Sequence, residues 1–156
     1  MDGVTIARAI HVLAVIHWIG GVALVTLVLI PAAVRIAEPR RRLALFEAVE
    51  DRFARQTRIS VPIAGLSGFY MTWRMDAWGR FADPAFWWMG AMAFVWALFM
   101  IVLFVAEPLF LNRWFHARAG ADPDAAFALL GRAHRIALVL SVVTLAGAVL
   151  GVHGAI

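Results

Sequence analysis

The 156-residue chain contains no cysteine and no lysine, and only 15% of it is charged. The missing cysteine excludes disulfides, thiolate metal sites and cysteine nucleophiles. With lysine missing, all fourteen basic residues are arginine, so the formal charge of +4 rests on side chains that do not lose their proton. Also lacking are a Gly-rich phosphate loop, a G-x-S-x-G elbow and an HExxH pair. The few acids lie mostly in polar connections, with no pairing that suggests acid–base work, which excludes hydrolysis and nucleotide chemistry. No basic segment followed by a short apolar run and a small-residue cleavage site opens the chain, so no cleavable signal peptide is expected.

What remains is apolar. Hydrophobic residues make up 63% of the chain, with seven Trp and eleven Phe, and the mean hydropathy is +0.84. This composition predicts an integral membrane protein in contact with a lipid bilayer, built as one all-α domain over residues 1–156. A spanning helix needs roughly 20 residues. Four segments approach that length, at about 9–34, 58–75, 86–111 and 135–153, which predicts a polytopic four-helix bundle. The second is long enough only if it includes Arg58 and Arg74, whose stems snorkel towards the headgroups. Between the first two spans, Leu43, Phe46, Val49 and Phe53 fall on one face and charges fill the other, as expected of a short interfacial helix. The stretch from Ala117 to Phe127 reads as a polar loop with Gly and Pro, and Asp122 or Asp124 is placed to cap a short helix after it. Pro108 is expected to end or kink the third span. Glu107, just before it, is expected to pair with an arginine or with His134 rather than move protons.

The arginines set topology. Eleven fall in or beside the two connections that follow the first and third spans, whereas only Arg8, Arg74 and Arg80 lie on the other side. The positive-inside rule then puts those connections in the cytoplasm and both termini outside, in a bacterial-type inner membrane. Arginines so distributed are topology determinants, and no nucleic-acid partner is expected.

Five histidines stand out in so apolar a chain. Counted at ~1.5 Å per residue from Arg35 and Arg135, His17 and His153 each sit ~27 Å from the cytoplasmic edge, with His11 nearer the outer surface. That shared level makes His17 and His153 a candidate ligand pair for one metal centre, with His11 as the other possible partner of His153. A b-type haem needs one or two neutral imidazoles, an apolar slot and cationic groups for its propionates. Arg8 and Arg74 sit where propionates would emerge. Gly20, Gly21, Gly65, Gly68, Gly147 and Gly151 either make room for a macrocycle or serve as packing points between helices. Copper is the alternative cofactor: Met71, Met75, Met89 and Met92 lie near the same outer face, and thioether with imidazole favours Cu(I). The aromatic run at Phe86, Trp87 and Trp88 also reads as an interfacial belt.

The stretch "AIHVLAVIHWIGG", with His11, Trp18 and Gly21, resembles the first helix of the CopD-like and HemJ-like membrane families. "RQTRISVPIAGLSGFYMTWR" is similar to a CopD-type helix that begins at an Arg-rich edge, and "FLNR" after the third span fits the same pattern. The resemblance implies a four-helix membrane bundle. HemJ-like members are associated with b-type haem and protoporphyrinogen oxidation, the haem ligand being the histidine that matches His11; CopD-like members are associated with copper uptake. The chain departs from the HemJ pattern at His17 and in lacking a Lys-rich second helix, which tells against porphyrinogen oxidase activity in particular. The expected function is therefore a membrane-embedded haem b protein, cytochrome b-like, acting in electron transfer or as a haem-dependent membrane oxidoreductase. A quinone or a redox protein would be its partner, and the Gly-rich faces suit a homodimer. The alternative is a copper-handling protein.

Overall fold

The computed structural model describes residues 2–36 and 38–154, and among these it is helical with no strand. Four helices run up and down: α1 (Gly3–Val34), α2 (Pro39–Arg74), α3 (Pro84–Ala121) and α4 (Pro123–Val152). The starts of α1 and α3 and the ends of α2 and α4 lie at one end of the molecule, called the terminal end below. The α1–α2 and α3–α4 connections lie at the other, the loop end. Asp2 caps α1 by accepting from the Val4 N–H at 3.2 Å, and Asp122 caps α4 by accepting from the Ala125 N–H at 3.0 Å.

α1, α3 and α4 are each long and apolar enough to cross a membrane. Their outward faces carry large apolar side chains such as Leu13 (67% exposed), Phe94 and Val139, a surface suited to lipid and not to water. α2 differs because charges fill its first half. It is also continuous over 36 residues, so the separate interfacial helix expected between the first two spans does not exist. Ala54 to Arg58 are ordinary helix-compatible residues, and nothing in them breaks the helix.

α3 does not end at Pro108, the second of the two outcomes expected there being a distortion of the helix, and the short helix expected ahead of the fourth span is continuous with that span as α4. The chain accommodates Pro108 by widening into π-helical turns over Val102–Leu111, and a shorter π-helical stretch, Val25–Leu29, precedes Pro31 in α1. In both places the widened turn relieves the clash and the lost hydrogen bond that proline imposes.

Packing depends on aromatic rings seated in glycine notches. A methyl added at Gly21 would fall 1.8 Å from the Phe53 ring, one at Gly65 2.3 Å from the Trp96 indole, and one at Gly151 2.1 Å from Trp88 Nε1. These glycines are packing points, filled by side chains of the bundle itself. Between them lies a core of Trp18, Val61, Ala64 and Val95, and a second core at the loop end holds Val25, Ile30, Phe46 and Phe127.

Arg42 ties the loop end together. Its side chain is only 7% exposed; Nη1 donates to Asp124 at 2.5 Å, while Nε and Nη2 donate to the Ile36 carbonyl at 3.2 and 3.1 Å. One guanidinium thus joins the ends of α1, α2 and α4. Arg42→Gln is expected to lower stability in detergent by about 2–3 kcal/mol, because a buried hydrogen-bonded cation is replaced by a shorter group. Asp124→Asn is expected to cost under about 1 kcal/mol, since that carboxylate is 87% exposed. Thermal unfolding of the two variants side by side checks the difference.

Candidate functional site at the terminal end

A half-open, mostly apolar cavity of about 680 Å³ lies between the four helices at the terminal end. Helix register decides which side chains reach it. α1 and α2 pair antiparallel along their length, from Gly3 against Tyr70 to Gly21 against Phe53. This pairing turns His11 towards the cavity and His17 away from it.

His11 lies half-buried on the cavity wall, its ring packed over Gly68, where an added methyl would sit 3.2 Å from Cε1. Its hydrogen bonds fix the tautomer. Nδ1 lies 2.8 Å from the Ala64 carbonyl and 3.2 Å from Ser67 Oγ, whose own hydroxyl donates to the Ile63 carbonyl at 2.6 Å. Both neighbours act as acceptors, so Nδ1 carries the proton and Nε2 keeps its lone pair. A backbone carbonyl on one ring nitrogen and a free lone pair on the other is the arrangement of a metal-ligating histidine.

His153 repeats the pattern at the rim. Its Nδ1–H donates to the Val149 carbonyl at 2.8 Å, and the residue lines the cavity at the end of α4. His17 is different: its Nε2–H donates to Gln56 at 3.2 Å and its Nδ1 accepts from the Ser60 hydroxyl at 3.1 Å, so neither nitrogen is free. It sits in a shallow outer groove with Ile10 and Leu13.

The expected match in depth between His17 and His153 fails for a geometric reason. Arg135 lies well inside α4, so it does not mark that helix's loop end as Arg35 marks the end of α1. Ile30 packs at Gly131. Stepping outward from that contact along both helices, His17 comes level with Thr144, and His153 with Arg8, about one turn beyond His11.

Of the two arginines expected at the site, Arg8 lines the cavity. Arg74 does not; its guanidinium lies 5.8 Å from the ring centre of Trp73, which is 61% exposed. Arg80, on the turn between α2 and α3, lines the cavity instead, and no local sequence pattern marks it as a site residue. Met71, Met75, Met89 and Met92 all line it too. Of the six glycines considered, Gly65, Gly68 and Gly151 border the cavity, and nothing lies near Gly20. Among the described residues no group of three or more His, Asp and Glu side chains converges as a metal site, so a centre here would rely on one or two imidazoles.

A separate charged cluster lies further along the bundle, towards the loop end. Arg58 Nη2 donates to Glu107 at 2.9 Å, the arginine partner expected for that acid, while His134 Nδ1–H donates to the Leu130 carbonyl at 3.1 Å. His116 Nδ1 lies 3.2 Å from Glu47, a pairing between helices that no local sequence pattern announces. Burial, reinforced by the nearby charges of Glu107 and Asp51, raises the Glu50 carboxyl from 4.5 to about 7. Folding therefore favours its neutral form: the penalty is absent below pH 4.5, grows as pH rises, and is complete above about 7. Glu50→Gln is accordingly expected to raise the unfolding temperature at pH 8, by about 1–2 kcal/mol of stability, and to leave it unchanged near pH 4.

No family model, curated protein or solved structure matches this chain.

Proposed function

We propose that the protein is a membrane-embedded, four-span b-type haem protein acting in electron transfer or small-molecule redox chemistry, of the CopD-like and HemJ-like kind. The supporting observation is His11: an imidazole on the wall of a large apolar cavity, with its proton held by Ala64 and Ser67 and its Nε2 lone pair free. A volume of about 680 Å³ lies in the range of cofactor sites. His11 is the first ligand, His153 is available as a second at the rim, and Arg8 is a cation near the mouth. Haem bound there would supply one-electron redox chemistry.

The chain's own residues do the rest. Ser67 and Ala64 orient the imidazole, and apolar side chains around Val15, Phe69 and Trp96 line the cavity. Under the positive-inside rule the terminal end is the external one, so the cavity faces the external half of an inner membrane and both termini lie outside. A quinol or a redox protein on that side would exchange the electron.

Copper handling is the second reading, and its own observation is that all four outer methionines line the cavity with His11 and His153. Metal analysis of the purified protein separates the two: stoichiometric iron with haem absorption supports the first, and a colourless protein retaining copper supports the second.

A further inference from the structure

We propose that Arg80, together with Arg8, both on the cavity lining, binds the carboxylates of the cofactor, and that Arg74 does not. This rests on the haem reading above and assigns the residues that recognise the cofactor's polar edge.

Arg80 is held in place by the backbone around it. The turn Trp78–Ala82 is anchored where the Ala77 N–H donates to the Thr72 carbonyl at 2.9 Å and the Arg80 N–H donates to the Ala77 carbonyl at 3.1 Å; Ala77 itself is buried. The Arg80 guanidinium lies 5.0 Å from the ring centre of Phe86, another wall residue, and this stacking holds it on the cavity lining. Among the described residues neither Arg8 nor Arg80 has a carboxylate partner, so both guanidinium groups are available to an acid.

An apolar cavity with two unpaired cations at its lip selects an amphipathic anion: the apolar body enters and the acid groups stop at the arginines. A porphyrin carrying two propionates on one edge has that form. Arg74 stacks on Trp73 outside the cavity, as an anchor of the second helix.

The test uses the full-length protein in detergent with iron-free protoporphyrin IX and its dimethyl ester, read by quenching of tryptophan fluorescence, since Trp18, Trp88 and Trp96 line the cavity. The free acid is expected to bind about ten-fold or more tightly than the ester, with the gap shrinking in high salt. Arg80→Gln should weaken the acid about ten-fold and leave the ester unchanged, the ester serving as the control for folding. Arg74→Gln should alter neither. Equal binding of acid and ester, no binding of either, or an equal loss in Arg74→Gln overturns the proposal. Because the probe holds no iron, the outcomes separate. A protein that prefers the acid but never shows a haem spectrum refutes the haem reading and leaves the carboxylate site. A haem spectrum without that preference refutes only the role of Arg80.

Discussion

Replacing His11 with alanine is expected to abolish the haem absorption bands of the detergent-solubilised protein, while His17→Ala leaves them in place. The two residues are both first-helix histidines in an apolar run, yet their hydrogen bonds make them chemically different. His17 spends both nitrogens on Gln56 and Ser60, whereas His11 spends one on Ala64 and Ser67 and presents the other. His153→Ala should weaken retention and shift the spectrum without erasing it, because that imidazole stands at the exposed rim. Ser67→Ala should lower haem affinity about ten-fold, the effect of losing one partner behind a ligand. Absorption spectra of the four variants, normalised to protein, check the order. Loss of the bands in His17→Ala with retention in His11→Ala would reverse the assignment.

Gly65→Ala is expected to destabilise the bundle by about 3–5 kcal/mol. The added carbon would fall 2.3 Å from the Trp96 indole. Trp96 cannot simply swing away, because its Nε1–H donates to the Val61 carbonyl at 3.0 Å and its ring packs edge-on against Phe69 at 5.4 Å. Relieving the clash therefore breaks a partly buried hydrogen bond and opens the core around Val61 and Ala64. Gly20→Ala, with nothing within 4 Å, should be neutral. Thermal unfolding in detergent measures both. The double variant Gly65→Ala with Trp96→Leu should recover part of the loss, since the two changes share one contact.

Much of the fold is written in local patterns. The apolar runs mark α1, α3 and α4, and Glu107 in an apolar helix demands a cation, which Arg58 supplies. These features depend on composition and near neighbours. The continuity of α2 was hidden because its charged first half and apolar second half read as two elements, although no residue between them interrupts a helix. The site was legible in its residue types and not in its geometry. His11, His153 and Arg8 reach the cavity, His17 and Arg74 do not, and Arg80 reaches it from the turn between α2 and α3. The difference lies in which way a helix is rotated, set by distant contacts such as Gly21 with Phe53 and Gly131 with Ile30. A ruler based on arginines cannot supply that rotation, because Arg135 lies inside α4 and not at its end.

The absorption spectrum of the purified protein, recorded as isolated and after dithionite, examines the proposed chemistry at its root. A Soret band that shifts and sharpens on reduction, present in wild type and His17→Ala and missing in His11→Ala, is the predicted result. A protein that stays colourless when expressed with ample haem, or whose bands are indifferent to His11, would contradict it.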